Sequence, residues 1–219
     1  MEMTIRVRKG GLQTSGGFLF ELNGGHVALD LANTIDVRRA AEPRELLGSY
    51  DDLLNWARQC GLLSETDVQT LARESRKRAQ ASARALRRAI ALRETIFGMF
   101  EAAAEGRRIS AEALRRFETL VHDAASRRSL STDGTSVRWI WRVRENDLDW
   151  FLWPVIEAAA DLLTSDRLGR VRVCQDPICA WLFIDHSPRG NRRWCDMSVC
   201  GNRAKAKRHY ERSKKSKGQ

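Results

Sequence analysis

A chain of 219 residues with 42% hydrophobic side chains can bury the core of one or two domains, and no stretch approaches the roughly 18 consecutive apolar residues of a membrane helix. It opens MEMTIRVRKGG, without the apolar segment of a secretory signal, so a cytoplasmic protein with no membrane partner is expected. The formal charge of +10 is unevenly placed: Arg189 to Gln219 holds eleven Lys or Arg against two acids, a balance of +9, and the remaining residues carry only +1. A cationic tail on a near-neutral body points to an appended module that meets a polyanion.

Residues 1–17 mix charge with Gly10, Gly11, Gly16 and Gly17 and read as a flexible leader, because so little apolar surface cannot repay ordering. A mostly helical domain is expected over 18–165. It begins with a short strand over 17–22, a turn at Asn23, Gly24 and Gly25, and an amphipathic helix from about His26. Ser49 is placed to cap a helix bearing Leu53, Leu54 and Trp56, which Gly61 ends. Ser64 with Asp67 three residues later repeats the capping pattern ahead of Val68, Leu71 and Ala72.

A long Ala- and Arg-rich helix follows over 80–105, with Ala85, Ala89, Leu92, Ile96, Met99 and Phe100 as its core stripe. Gly106 interrupts it, and Ser110 opens another helix carrying Ala113, Leu114, Phe117, Leu120 and Val121. SVRWIWRV alternates as a strand does, with Val137, Trp139, Trp141 and Val143 on one face and Arg138, Ile140 and Arg142 on the other. Residues 149–164 return to helix. The fold class is therefore mainly α with a few short strands (α+β), followed by a small treble-clef-like finger over 170–216.

That finger follows from the cysteines. Four of the five fall as C-x4-C, fifteen residues, then C-x4-C: Cys174, Cys179, Cys195 and Cys200. Two close thiolate pairs joined by a hairpin supply the four corners of a tetrahedral zinc site, and a reducing compartment favours this over disulfides. WLFIDHS and NRRWC read as the two strands of that hairpin, turning at 187–190, and NRAKAKRHYERSKKS as a helix behind it. With every position filled by protein, one structural Zn²⁺ per chain is expected, with no place for a catalytic water. His186 is read as a solvent-facing turn residue, and Cys60 as a plain buried thiol.

The run RRWCDMSVCGNRAKAKRHYER resembles the CGNR zinc finger family of bacterial proteins, with Cys200, Gly201, Asn202 and Arg203 at its centre. Upstream, HVALDLANTIDVR resembles the Leu-Asp-φ-x-Asn-Thr signature of the ABATE domain, a family of stress-induced transcription regulators. The resemblance implies the same four zinc ligands and a regulatory role.

The functional expectation is accordingly a zinc-containing transcription regulator that binds DNA through Arg189, Arg192, Arg193, Arg203, Lys205, Lys207, Arg208 and Arg212, with Arg203 alternatively turned inward to brace the finger. The helical domain would sense a small-molecule effector or form a homodimer. His26, Asp30, Asn33 and Arg38 are the effector-binding candidates; the plainer reading is that Asp30 and Asn33 tie neighbouring backbone. Trp139, Trp141, Trp150 and Trp153 are read as core packing, with a ligand pocket as the alternative. A second class is an interaction protein whose finger binds protein or RNA. No enzyme is expected: the sequence has no Gly-rich phosphate loop or His-Glu-x-x-His, and Glu145, Asp147 and Asp149 read as a solvated turn.

Overall fold

The computed structural model describes residues 10–14 and 17–216. The expected leader is ordered where it is described: strand β1 (Gly11–Thr14) pairs antiparallel with β2 (Gly17–Phe20), from Gly11 opposite Phe20 to Thr14 opposite Gly17. Gly11 sits at φ 156°, and a Cβ there would lie 2.0 Å from the Leu19 carbonyl oxygen, so the ribbon needs a glycine at that point. The rest of the expected leader, residues 1–9 and 15–16, lies outside the described residues. Side chains moor β2 to the body, with Asn55 Nδ2 and Gln59 Nε2 donating to the Phe18 carbonyl at 2.6 and 2.8 Å.

Helix α1 (Val27–Ala32) starts at His26, whose Nδ1 accepts from the Ala28 N–H at 3.3 Å. A minimal ribbon of β3 (Ile35–Asp36) and β4 (Arg44–Glu45) leads into α2 (Tyr50–Gln59), capped by Ser49 and ended at Gly61, φ 72°. The reciprocal Ser64 and Asp67 capping box opens α3 (Glu65–Lys77). The long α4 (Ala79–Ala104) buries the whole expected stripe, and Ser110 caps α5 (Ala111–Ser126), where Phe117 is buried but Leu114 faces solvent. Strand β6 (Val137–Trp141) forms within the predicted stretch, although every residue but Trp141 is exposed, and pairs with β5 (Arg128–Thr132), whose RSLST carries too little apolar pattern to be read as a strand. Helix α6 (Trp153–Thr164) closes the helical layer. No helix of the described residues is long and apolar enough to cross a membrane.

The finger's ribbon differs from expectation. Strand β8 (Leu182–Ile184) pairs with β7 (Val171–Val173), placed before the first cysteine, rather than with NRRWC, which stays irregular. Helix α7 (Asn202–Ser216) ends the described chain.

Body and finger share one core. Val171, Leu182 and Ile184 belong to the same buried cluster as Leu29, Leu31, Trp56, Ile96, Phe100 and Val155, so the finger's ribbon is part of the helical core. Only a small second cluster, the four cysteines with Trp181 and Phe183, surrounds the metal position.

Candidate metal centre

All four Sγ atoms of Cys174, Cys179, Cys195 and Cys200 are buried and lie within 4.8 Å of one another. Cys179 and Cys195 are 3.7 Å apart, and a tetrahedral zinc with bonds of about 2.3 Å sets its sulfurs about 3.8 Å apart. Four buried sulfurs packed this closely resist carrying four negative charges by themselves. A divalent cation lets all four ionise together, so donor set and geometry fit one zinc ion with a closed shell.

The local sequence builds this cage. Cys174 and Cys179 bracket the tight turn joining β7 to β8, where the Trp181 N–H donates to Cys179 Sγ at 3.4 Å and Ala180 takes φ 58°. Cys200 rides on a wide π turn, Met197–Gly201, that Asp196 caps by accepting from the N–H groups of Ser198 and Val199. Each later residue of the CGNR run then has a mechanical task. A Cβ on Gly201 would lie 2.4 Å from Met197 Sδ, Asn202 Nδ2 donates to the Ser198 carbonyl at 2.9 Å, and Arg203 Nη1 meets Asp176 Oδ2 at 3.0 Å. Asp176 is 2% exposed inside the first cysteine turn, so this ion pair clamps the two halves of the cage together.

The ABATE-like signature turns out to hold the finger. Asn33 is buried, its Nδ2 donating to the Leu182 carbonyl and its Oδ1 accepting from the Leu182 N–H, both at 2.8 Å. Ile184 N–H donates to the Gly24 carbonyl at 2.9 Å, so Gly24 and the Asn33 amide stand where a third strand would, on the outer edge of β8. Trp181 Nε1 donates to the Ile35 carbonyl at 2.7 Å, and the Arg39 N–H to the Ile178 carbonyl at 3.1 Å. Asp30 Oδ1 accepts from the Gly24 N–H at 2.8 Å, which fixes the turn that reaches β8. Burial raises its carboxyl to about 6, against the opposing pull of that N–H. Arg38 pairs with Glu94 at 2.6 Å, donates to the Ala32 carbonyl and stacks on Phe97. The quartet His26, Asp30, Asn33 and Arg38 is thus divided among separate structural tasks instead of facing one ligand.

The nucleic-acid candidates also divide. Arg192 Nε donates to the Trp194 carbonyl at 2.9 Å, its Nη2 donates to that of Cys195, and the guanidinium stacks on Phe183, so it is committed to the cage. Arg193 is exposed but bonded to Gln175, and Arg189 is exposed. Lys205, Lys207, Arg208 and Arg212 are exposed on α7, and among the described residues none of the four is ion-paired. Lys205, Arg208, His209 and Arg212 line one shallow depression of about 240 Å³. The signal that sequence reading missed was Asp176, the lone acid inside the first cysteine turn and the partner that ties the half-exposed Arg203 to the cage.

Two family models match in chain order. The ABATE model, described as "Putative stress-induced transcription regulator", covers residues 25–166, and the CGNR zinc finger model covers 170–213. No curated protein matches the chain. Both matched families are of regulatory and zinc-finger type.

Proposed function

The chain belongs to the ABATE family and carries a CGNR zinc finger, and from this premise we propose that it is a transcription regulator that docks on DNA through α7. The observation that carries the reading is the row of exposed cations on α7, with no ion pair among the described residues, standing on a base that zinc and the Arg203–Asp176 pair make rigid. Several of the body's own arginines are neutralised, as at Arg93 with Glu45, Arg88 with Asp149 and Arg127 with Asp147. Lys205, Lys207, Arg208 and Arg212, together with the exposed Arg189 and Arg193, give about four to six phosphate contacts, hence a slope of log affinity against log salt of roughly −4 to −5. A cytoplasmic location and a stress-linked role accompany this reading.

The test is a titration of duplex DNA across salt with the whole chain and with a Lys207, Arg208 and Arg212 triple alanine variant. The slope should flatten by about three in the variant, at about one per lost phosphate contact. Equal affinity of the two proteins at every salt removes α7 from the account. That result would favour the protein- or RNA-binding alternative.

Within the same reading the helical domain senses or dimerises. Dimerising is supported by the β5–β6 ribbon, where Leu130, Val137 and Trp139 are 60%, 68% and 58% exposed, which corrects the core assignment of Trp139. Among the described residues this sheet has two strands, and no further strand pairs with either edge. Light scattering should give a dimer that a Leu130→Ser, Trp139→Ser variant loses; a wild-type monomer at all concentrations counts against it.

A further inference from the structure

We propose that the cavity between α3 and β6 is a binding site for a small organic cation with an apolar body. The cavity measures about 710 Å³, the size of a ligand pocket, whereas the quartet around Asn33 that the sequence suggested is taken up by the fold. Buried Leu71 and Leu148 floor it, Trp141 and Trp150 wall it, and Ile140 and Val143 form an exposed apolar rim. The two indoles are already braced from behind, Trp141 against Trp153 at 5.7 Å between ring centres and Trp150 against Phe151 at 6.4 Å. A ligand would therefore meet walls already in place.

The polar groups choose the charge of the ligand. Asp67, Glu74, Glu145 and Asp147 line the cavity against one cation, Arg144. The cations that brace these acids, Lys77 and Arg78 on Glu74, Arg78 on Glu145 and Arg127 on Asp147, do not line it. Asp67, Glu145 and Asp147 each make their hydrogen bonds through a single oxygen, Oδ2, Oε2 and Oδ2, which leaves the other oxygen to a ligand. Tryptophan faces beside carboxylates are the usual chemistry for an ammonium or phosphonium with organic substituents, and an anion would meet both repulsion and the negative ring faces.

The experiment titrates the full zinc-loaded chain with tetraphenylphosphonium and with tetraphenylborate, two ions of one shape and opposite charge. The readout is the indole N–H resonances of Trp141 and Trp150, identified by Trp→Phe variants, so borate bound on the cationic α7 is not counted. The cation should shift both indoles saturably, and the borate should be at least about tenfold weaker at those indoles. Val143→Arg, at an exposed rim position that does not threaten folding, should weaken the cation about tenfold or more. Glu145→Gln should weaken it several-fold. No saturable shift, equal response to both ions, or a Val143→Arg variant that binds like wild type overturns the proposal. No DNA enters the measurement, so its outcome is independent of the role given to α7.

Discussion

Replacing Asn33 by alanine removes two hydrogen bonds of 2.8 Å at a position that is 2% exposed, and it orphans the N–H and C=O of Leu182, itself fully buried. Leaving a buried backbone donor or acceptor unpaired costs about 1–3 kcal/mol, so the pair should cost about 2–6 kcal/mol. Against a total stability of about 5–15 kcal/mol that is a large share. For a chain of this size about 3 kcal/mol corresponds to a fall in Tm of about 10 °C. Calorimetry should show one transition moved down by that order, because β8 is built into the helical core. Hydrogen exchange should show the Leu182 amide, protected in the native protein, losing protection in the variant. A Tm within 2 °C of wild type, about one kcal/mol or less, with Leu182 still protected would refute the strand-substitute role of Asn33.

Elemental analysis should find one zinc per chain, and chelation should release four reactive thiols together. Cys60 should lag behind them, because burial pushes its thiol well above the usual range. The shared core makes chelation lower the transition of the whole protein; two separated transitions, with the helical one unmoved, would contradict it. Arg203→Ala should weaken zinc retention and leave the salt slope of DNA binding nearly unchanged, whereas Lys207→Ala should do the reverse; a slope change of one for Arg203→Ala would return it to the DNA-contacting set. The carboxyl of Asp30, raised by burial to about 6, is protonated more readily in the native than in the unfolded chain. Its contribution therefore declines as pH rises from about 4 to 6 and is absent above. Asp30→Asn keeps an acceptor for Gly24, so its urea midpoint plotted against pH should lack that decline; superimposable curves would refute the assignment.

Helix caps were legible because they are local chemistry: Ser49, Ser64 and Ser110 each accept from a backbone N–H three residues on, as their spacing requires. The α4 stripe was legible because six apolar residues at helical spacing leave one face to bury. The four zinc ligands were legible because cysteine pairs at C-x4-C have few other uses. What failed depends on partners distant in sequence. A three-residue strand such as Val171–Val173 has no period to detect, so its pairing with β8 was assigned to the wrong segment. Arg192 and Arg203 look like the other cations of the tail, and only the folded positions of the Cys195 carbonyl and Asp176 distinguish them. That Asn33 ties backbone is the plainer reading of the sequence, but its partner, Leu182, lies 149 residues away, and a buried side-chain amide serving as a strand leaves no trace in composition.

The closure of β8's outer edge by Gly24 and Asn33 bears on how this finger can be moved or isolated. An excised segment 170–216 would keep its cysteines and its α7, but the N–H groups of Leu182 and Ile184 would face solvent beside the apolar side chains that the helical body covers. Such an edge is a template for pairing with another copy, so the isolated finger should aggregate even when loaded with zinc. Transplanted onto another protein, it would need the turn at Gly24 and the first helix as well. The unit that can be moved is therefore the finger together with those elements of the body.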